Sequence, residues 1–277
     1  MWGPFILGGL LFLACLYFVF TNLSNSGAET TPETSGAEEG SEAESPEQTL
    51  SQLTASRENL RRAYLAAHGG EDRLAGLRSS RSRGILETKN GRVPFLSVKK
   101  RPGKSSLTLR FPDYEQKLVV DGDVVWQRIS APQKESKVNR LEGKTATQIQ
   151  QLGAFFDPVM ALFLQNEGIL RGIETADSET GPMILVDFEN ENLSLRSTAF
   201  IDAATLQLAS RVDALGRGNE RTFFYLDYRN VDGVLAPFVV ESYLNGNFEN
   251  RVKIEQIEYN LGIFPATFEM PDELQTE

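Results

Sequence analysis

Hydrophobic and polar positions divide the chain into three regimes. From Pro4 to Phe20 every position is apolar, Gly, Pro or Tyr, and no charged residue occurs before Glu29. This run of 17 residues reaches the roughly 20 that a bilayer core requires once Thr21–Leu23 are added. Residues 24–48 then run through Ser, Thr, Gly, Ala, Glu and Pro, with seven Glu and no Lys or Arg. Such a segment cannot bury enough apolar area to offset its ordering entropy, and it reads as a disordered acidic linker. From residue 49 the pattern becomes that of a folded domain. Leu50, Leu53, Leu60, Tyr64 and Ala67 lie on one helical face, with Gly69-Gly70 as the stop, and a short helix is expected over Glu71–Leu77.

After Arg78 the period changes from helical to two. Strands are expected at Arg81–Lys89, Val93–Arg101, Leu107–Phe111, Glu115–Asp121 and Val124–Ile129. After a break they resume at Ile169–Ala176, Met183–Glu189, Leu193–Ile201, Gln207–Asp213, Glu220–Tyr228, Val234–Leu244 and Glu249–Tyr259. Asn90-Gly91, Asp121-Gly122, Asp232-Gly233 and Asn245-Gly246 supply hairpin turns. Short hairpins force antiparallel neighbours, so residues 49–277 are expected to form a mainly β (α+β) domain around one large, strongly curved antiparallel sheet. On the strand at 220–228, Phe223 and Tyr225 alternate with Phe224, Leu226 and Tyr228. Apolar side chains on both faces imply cover on both. The insert at about 142–165 has helical spacing and is the expected cover of the concave face. Such a cap encloses either a packed core or a lipophilic cavity, and the pattern does not separate the two.

Charge and composition narrow the functional classes. The net charge is −10, but removing the linker's acids leaves 28 basic against 31 acidic residues, a net of −3 for the remainder. A near-neutral domain offers no electrostatic footprint for nucleic acid. The N-terminus lacks the basic region and small-residue cleavage site of a removable signal, so residues 1–23 are expected to stay as a single-pass anchor, held in the membrane through residues 4–20. The short N-tail favours a translocated C-terminal domain. Phe12-Leu13-Ala14-Cys15 has the form of a lipidation site, but the chain stays apolar beyond it. With one Cys and one His there is no intrachain disulfide and no Cys- or His-based metal site. His68 ends the first helix, where it suits the last carbonyls. Lys99-Lys100-Arg101-Pro102-Gly103-Lys104 is the densest basic run, either a solvated hairpin end or a place for anionic head groups. The carboxylate pairs Asp187/Glu189 and Asp227/Asp232 are no denser than 38 acids make by chance. No phosphate loop, nucleophile elbow or zinc motif occurs, so no catalytic residue, metal or cofactor is assigned and a non-enzymatic role is expected. The candidate ligand-contacting residues are Trp126, at a hairpin, and Phe155, Phe156, Met160 and Phe163 of the insert. For each, core packing is the alternative and the favoured reading.

Several segments, taken in order, resemble the outer-membrane lipoprotein-sorting family, the relatives of Lol-type periplasmic lipoprotein carriers. They are Tyr64–Ser79 (with His68-Gly-Gly-Glu-Asp-Arg73), Lys100-Arg-Pro-Gly-Lys104, Val120-Asp-Gly-Asp-Val-Val-Trp126, Asp227–Pro237, and Asn260 with Phe268-Glu-Met-Pro271. The resemblance implies an incomplete β-barrel with a helical lid, a hydrophobic cavity for acyl chains, and neither catalysis nor cofactor. With the expected anchor it implies a bacterial inner-membrane protein whose domain faces the periplasm. Its partners would be lipid or lipoprotein acyl chains and an inner-membrane transporter. The alternative on the same fold is an envelope protein–protein interaction or sensing module without lipid transfer.

Overall fold

The computed structural model describes residues 46–190 and 195–271. The expected anchor, and the linker up to residue 45, lie outside them. The linker's last residues do not follow the expected pattern, because α1 (Pro46–Thr54) already starts at Pro46, a residue preorganised for a first helical turn. Among the described residues no helix is long and apolar enough to cross a membrane. From Leu53 onward the chain forms one compact unit.

Helix α2 (Arg57–Ala67) begins at Ser56, whose hydroxyl accepts from Asn59 N, and it buries Leu60, Tyr64 and Leu65 on one face. It stops where expected. Gly69 has φ +124°, and a Cβ there would lie 2.4 Å from the Gly233 carbonyl oxygen, so only glycine lets the helix end press against this strand turn. Leu235 N donates to His68 O across the same junction. The short α3 (Glu71–Ala75) follows.

Among the described residues, thirteen strands form one antiparallel sheet. The first wing holds β1 (Ser79–Thr88), β2 (Gly91–Lys100), β3 (Lys104–Arg110), β4 (Glu115–Asp121), β5 (Val124–Ser130) and β6 (Lys137–Leu141). The second wing holds β7 (Ile169–Ser178), β8 (Gly181–Asn190), β9 (Leu195–Asp202), β10 (Leu208–Gly216), β11 (Asn219–Val231), β12 (Val234–Leu244) and β13 (Asn247–Tyr259). Each wing is a run of hairpins, and the two join through β1 and β13. The order is therefore β6-β5-β4-β3-β2-β1-β13-β12-β11-β10-β9-β8-β7, with β6 and β7 as free edges of an unclosed, curved sheet. Asp232-Gly233 and Asn245-Gly246 both have positive φ, as tight hairpin turns demand. Only β6 escaped the sequence pattern. Lys137-Val-Asn-Arg-Leu has two apolar residues, which suffice for an edge strand bonded on one side.

The insert contains two helices, α4 (Gly143–Gly153) and α5 (Pro158–Leu164), and it joins one free edge to the other. Helix α4 lies on β3–β5 so closely that a Cβ at Gly153 would sit 2.2 Å from Ser105 Oγ. Val120 is also at that contact, which fixes the inner face of the first wing as Ser105, Val120 and Val125. By strict alternation Ser106, Val119 and Trp126 point outward. In the second wing the inner face carries Ile184, Val186, Phe188, Ala199 and Ile201 on paired positions, all essentially solvent-free.

The expectation that the strand at 220–228 is covered on both faces does not hold. Phe224 and Leu226 are 40% and 44% exposed. Phe224 packs sideways, edge-on to Tyr243 across the strand pair. Asp227 adopts φ +53°, which interrupts alternation, and the Tyr228 ring lies edge-on to that of His68 at 6.2 Å.

Candidate ligand-binding face

Helix α5 is the most deeply buried part of the insert. Asp157 caps its start, accepting from Val159 N at 2.9 Å and Met160 N at 3.1 Å, and Pro158 occupies the first turn. Val159, Leu162 and Phe163 have no exposed surface, and Met160 is 5% exposed. At the other end, two arginines of α2 hold the terminal carbonyls. Arg61 Nε donates to Phe163 O at 2.7 Å, and Arg57 Nη2 donates to Leu162 O at 3.2 Å. Cations at a helix C-terminus complement both its free carbonyls and its dipole. The Phe163 ring packs 5.2 Å from that of Tyr64 on α2.

The link between α4 and α5 is held from the first wing. Phe155 and Phe156 meet edge to face, with the Arg101 guanidinium 5.9 Å and 5.4 Å from their centroids. Arg101 also donates to the carbonyls of Ala75 and Leu77. Lys99, on the inner face beside Ser105, donates from Nζ to Ala154 O at the end of α4. Lys99 as a residue is partly buried, but its ammonium is enclosed. Burial pushes its pKa down to about 8, against the opposing pull of Asp157.

Beneath these helices the inner face of the second wing is not uniformly apolar. Arg211 on β10 makes a two-point pair with Asp213 (2.8 and 2.9 Å) and donates to the Tyr225 hydroxyl at 3.0 Å. Ser197 Oγ donates to Asp213 Oδ1 at 2.7 Å. The Arg211 guanidinium lies 4.5 Å from the Phe223 centroid. Burial alone would lower the Arg211 pKa, but Tyr225 and Asp213 hold it above its ordinary value. Burial raises the Tyr64, Tyr225 and Tyr228 hydroxyls, with Asp157 adding to each. His68 stacks on Tyr64 at 4.1 Å, and its Nδ1 is 2.9 Å from Tyr64 O; burial lowers its pKa. Asp157 is thus the charge at the start of α5 that this polar inlay faces.

The structure places Phe155, Phe156, Met160 and Phe163 together along α5 and its approach. Trp126 is elsewhere, on the outer face. There it clusters with Val119 and Phe268, and its Nε1 donates to Phe268 O at 3.2 Å. A strap of residues 261–271 crosses the outer face, its carbonyls also taken by Lys100 (Ile263 O) and Lys117 (Thr267 O). The alternation of β5 assigns Trp126 and Val125 to opposite faces, but it does not say which face carries the lid. His68 lies at the helix end as expected, but under cover rather than in solvent. Arg211, Asp213 and Tyr225 were not singled out from the sequence. Their signal was the i, i+2 spacing of Arg211/Asp213 and of Phe223/Tyr225, which puts each pair on one strand face. The acids considered for chemistry are engaged otherwise: Asp187 with Arg196, Glu189 with Arg171, and Asp227 with Arg229.

Among the described residues, two surface clefts enclose about 180 Å³ each. One lies between α4 and the β3/β4 strand ends, with Lys104, Val120, Gln150 and Phe155 among its walls. The other is on the outer face, between Arg81, Arg83, Leu96 and Gln256. Both are below the roughly 300–1,000 Å³ of usual small-molecule sites.

No family model matches the chain. No curated protein matches it in sequence. Among solved structures it is similar to a LolA superfamily protein from Nitrosomonas europaea, with a TM-score of 0.50 over 76% of this chain and 98% of that one, at 9% identity. A likeness at that identity is one of fold alone: the chain folds like this LolA superfamily protein.

Proposed function

We propose that the domain binds lipid or lipoprotein acyl chains without catalysis, on the inner face of the sheet beneath α4 and α5. The observation that carries this reading is α5 itself. It is a seven-residue apolar helix, tethered at both ends by polar contacts, whose side chains fill the concavity of a carrier-like sheet. A chain entering there would take the place of Val159, Met160 and Phe163. Burial of each methylene is worth about 0.8 kcal/mol, so ten carbons supply roughly 8 kcal/mol toward lifting the lid. Held by an uncleaved anchor in a bacterial inner membrane, with the domain in the periplasm, the protein would exchange its ligand with a membrane transporter rather than shuttle freely.

The filled inner face favours a second reading, an envelope interaction or sensing module on the same sheet. Native mass spectrometry of residues 49–277, followed by lipid extraction and titration with a fluorescent fatty acid, separates the two. A bound phospholipid or lipopeptide mass and saturable uptake support the carrier. A clean apo mass with no uptake supports the module.

A further inference from the structure

The outer face of the first wing is rich in cations, with Glu115, two residues along β4, opposing the charge of Lys117. Arg83 on β1, Lys100 on β2, Lys117 on β4, Arg128 on β5 and Arg140 on β6 all point outward by register. None makes an ion pair among the described residues, although Lys100 and Lys117 donate to strap carbonyls. Lys117 and Arg128 are direct cross-strand neighbours, and Arg128 helps to lower the Lys117 pKa, after burial. Like charges facing each other across a strand pair are destabilising, and Arg83, Arg128 and Arg140, unlike the two strap-bound lysines, make no hydrogen bond or ion pair among the described residues that offsets this. A second observation lies beside it. Phe264, on the strap that crosses this face, is 80% exposed, and it caps the short 3₁₀ turn Pro265–Thr267 that holds it out. The strap adds one acid, Glu269.

We infer that this outer face docks on an anionic lipid bilayer, with Phe264 entering the head-group layer and Arg83, Arg128 and Arg140 meeting lipid phosphates. A solvated cation surface alone would suit an acidic protein equally. An aromatic side chain projecting from a rigid turn among cations suits the bilayer interface, where such rings sit at head-group depth. The inference stands independently of acyl-chain binding on the opposite face.

The test uses the full chain carrying Cys15→Ser and Ala266→Cys, labelled at position 266 with an environment-sensitive dye and reconstituted into vesicles. One set is pure phosphatidylcholine and the other contains one-third phosphatidylglycerol. Docking gives a blue-shifted emission only in the anionic set, reversed by high salt. Each Arg or Lys near such a surface is worth about fivefold, so Arg83→Ser/Arg128→Ser/Arg140→Ser lowers the docked-to-free ratio about 100-fold. Phe264→Ser weakens docking on the same vesicles without altering the melting curve. An unshifted label, or an equal shift on neutral vesicles, overturns the inference. No shift on vesicles but a shift on adding polyglutamate assigns the face to an acidic protein instead.

Discussion

The two wings of the sheet handle charge in opposite ways. Every Lys and Arg on β7–β13 has a carboxylate partner: Arg171 with Glu189, Arg196 with Asp187, Arg211 with Asp213, Arg221 with Glu249, Arg229 with Asp227, Arg251 with Glu241, and Lys253 with Glu87. On β1–β6, Arg83, Lys99, Lys100, Lys117, Arg128 and Arg140 form no ion pair among the described residues, while Arg81, Arg92, Lys104 and Arg110 do. Apart from Lys253, whose partner Glu87 lies on β1, the second wing pairs its cations within itself. The first presents charge outward to whatever lies beyond the domain, and inward, through Lys99, to the lid. A sheet whose two halves share one hairpin grammar is thereby divided into a half with all its strand cations paired and a half that leaves several without an ion-pair partner among the described residues.

The sharpest way to break this contrast is at Arg211. Arg211→Met leaves Asp213 charged and buried, which costs about 3–5 kcal/mol and should appear as a large fall in the urea midpoint. Arg211→Met/Asp213→Leu should recover most of that loss. Unchanged stability in the single variant would show that the pair is not desolvated as placed.

Lys99 makes the opposite prediction. Its pKa near 8 when folded is below the unfolded value of 10.5, so the unfolded state binds more protons between those limits. Stability from this group is therefore absent below pH 8 and rises as pH increases from 8 toward 10.5. The buried tyrosines have raised pKa values and oppose the rise near pH 10 and above. Lys99→Met should stabilise the protein at pH 7 by on the order of 1–3 kcal/mol and flatten the wild-type rise above pH 8. Parallel pH–stability curves for the two proteins would refute the assignment.

Asp157→Ala removes the α5 cap, a loss of about 1 kcal/mol. Because it loosens the lid, it should also speed fluorescent fatty-acid uptake in stopped flow. The smallest effect is expected on the outer face. Arg128→Ser should change stability by less than about 0.5 kcal/mol and raise the Lys117 pKa, whereas Arg196→Ser in the second wing should lower stability slightly by removing the partner of Asp187.

Much of the sheet was legible because its determinants are local. Asp232-Gly233 and Asn245-Gly246 fix their turns, and period-two runs such as Val234–Leu244 fix the strands between. The insert showed itself through the switch to helical spacing around Phe155–Phe163. The contact partners of those residues did not. Which inner-face residues sit under α5 depends on the β1–β13 pairing, a contact between the two ends of the domain that no local pattern encodes. The partner of Trp126 was hidden for the same reason, since its neighbour Phe268 is over 140 residues away. The polar inlay was hidden by abundance: Arg211 and Asp213 look like any other charged residues of a soluble strand until the register encloses them.

That β1–β13 pairing has a kinetic meaning. The hairpins of each wing close over a few residues, but the seam between the wings joins Ser82 to Ile257, some 170 residues apart. At Gly84 it lies so tight that a Cβ would come 2.0 Å from the Lys253 carbonyl oxygen. Loop-closure entropy makes this the costly contact, so a substitution at the seam, such as Gly84→Ala, is expected to slow folding more than one in a hairpin turn, as refolding rates would report.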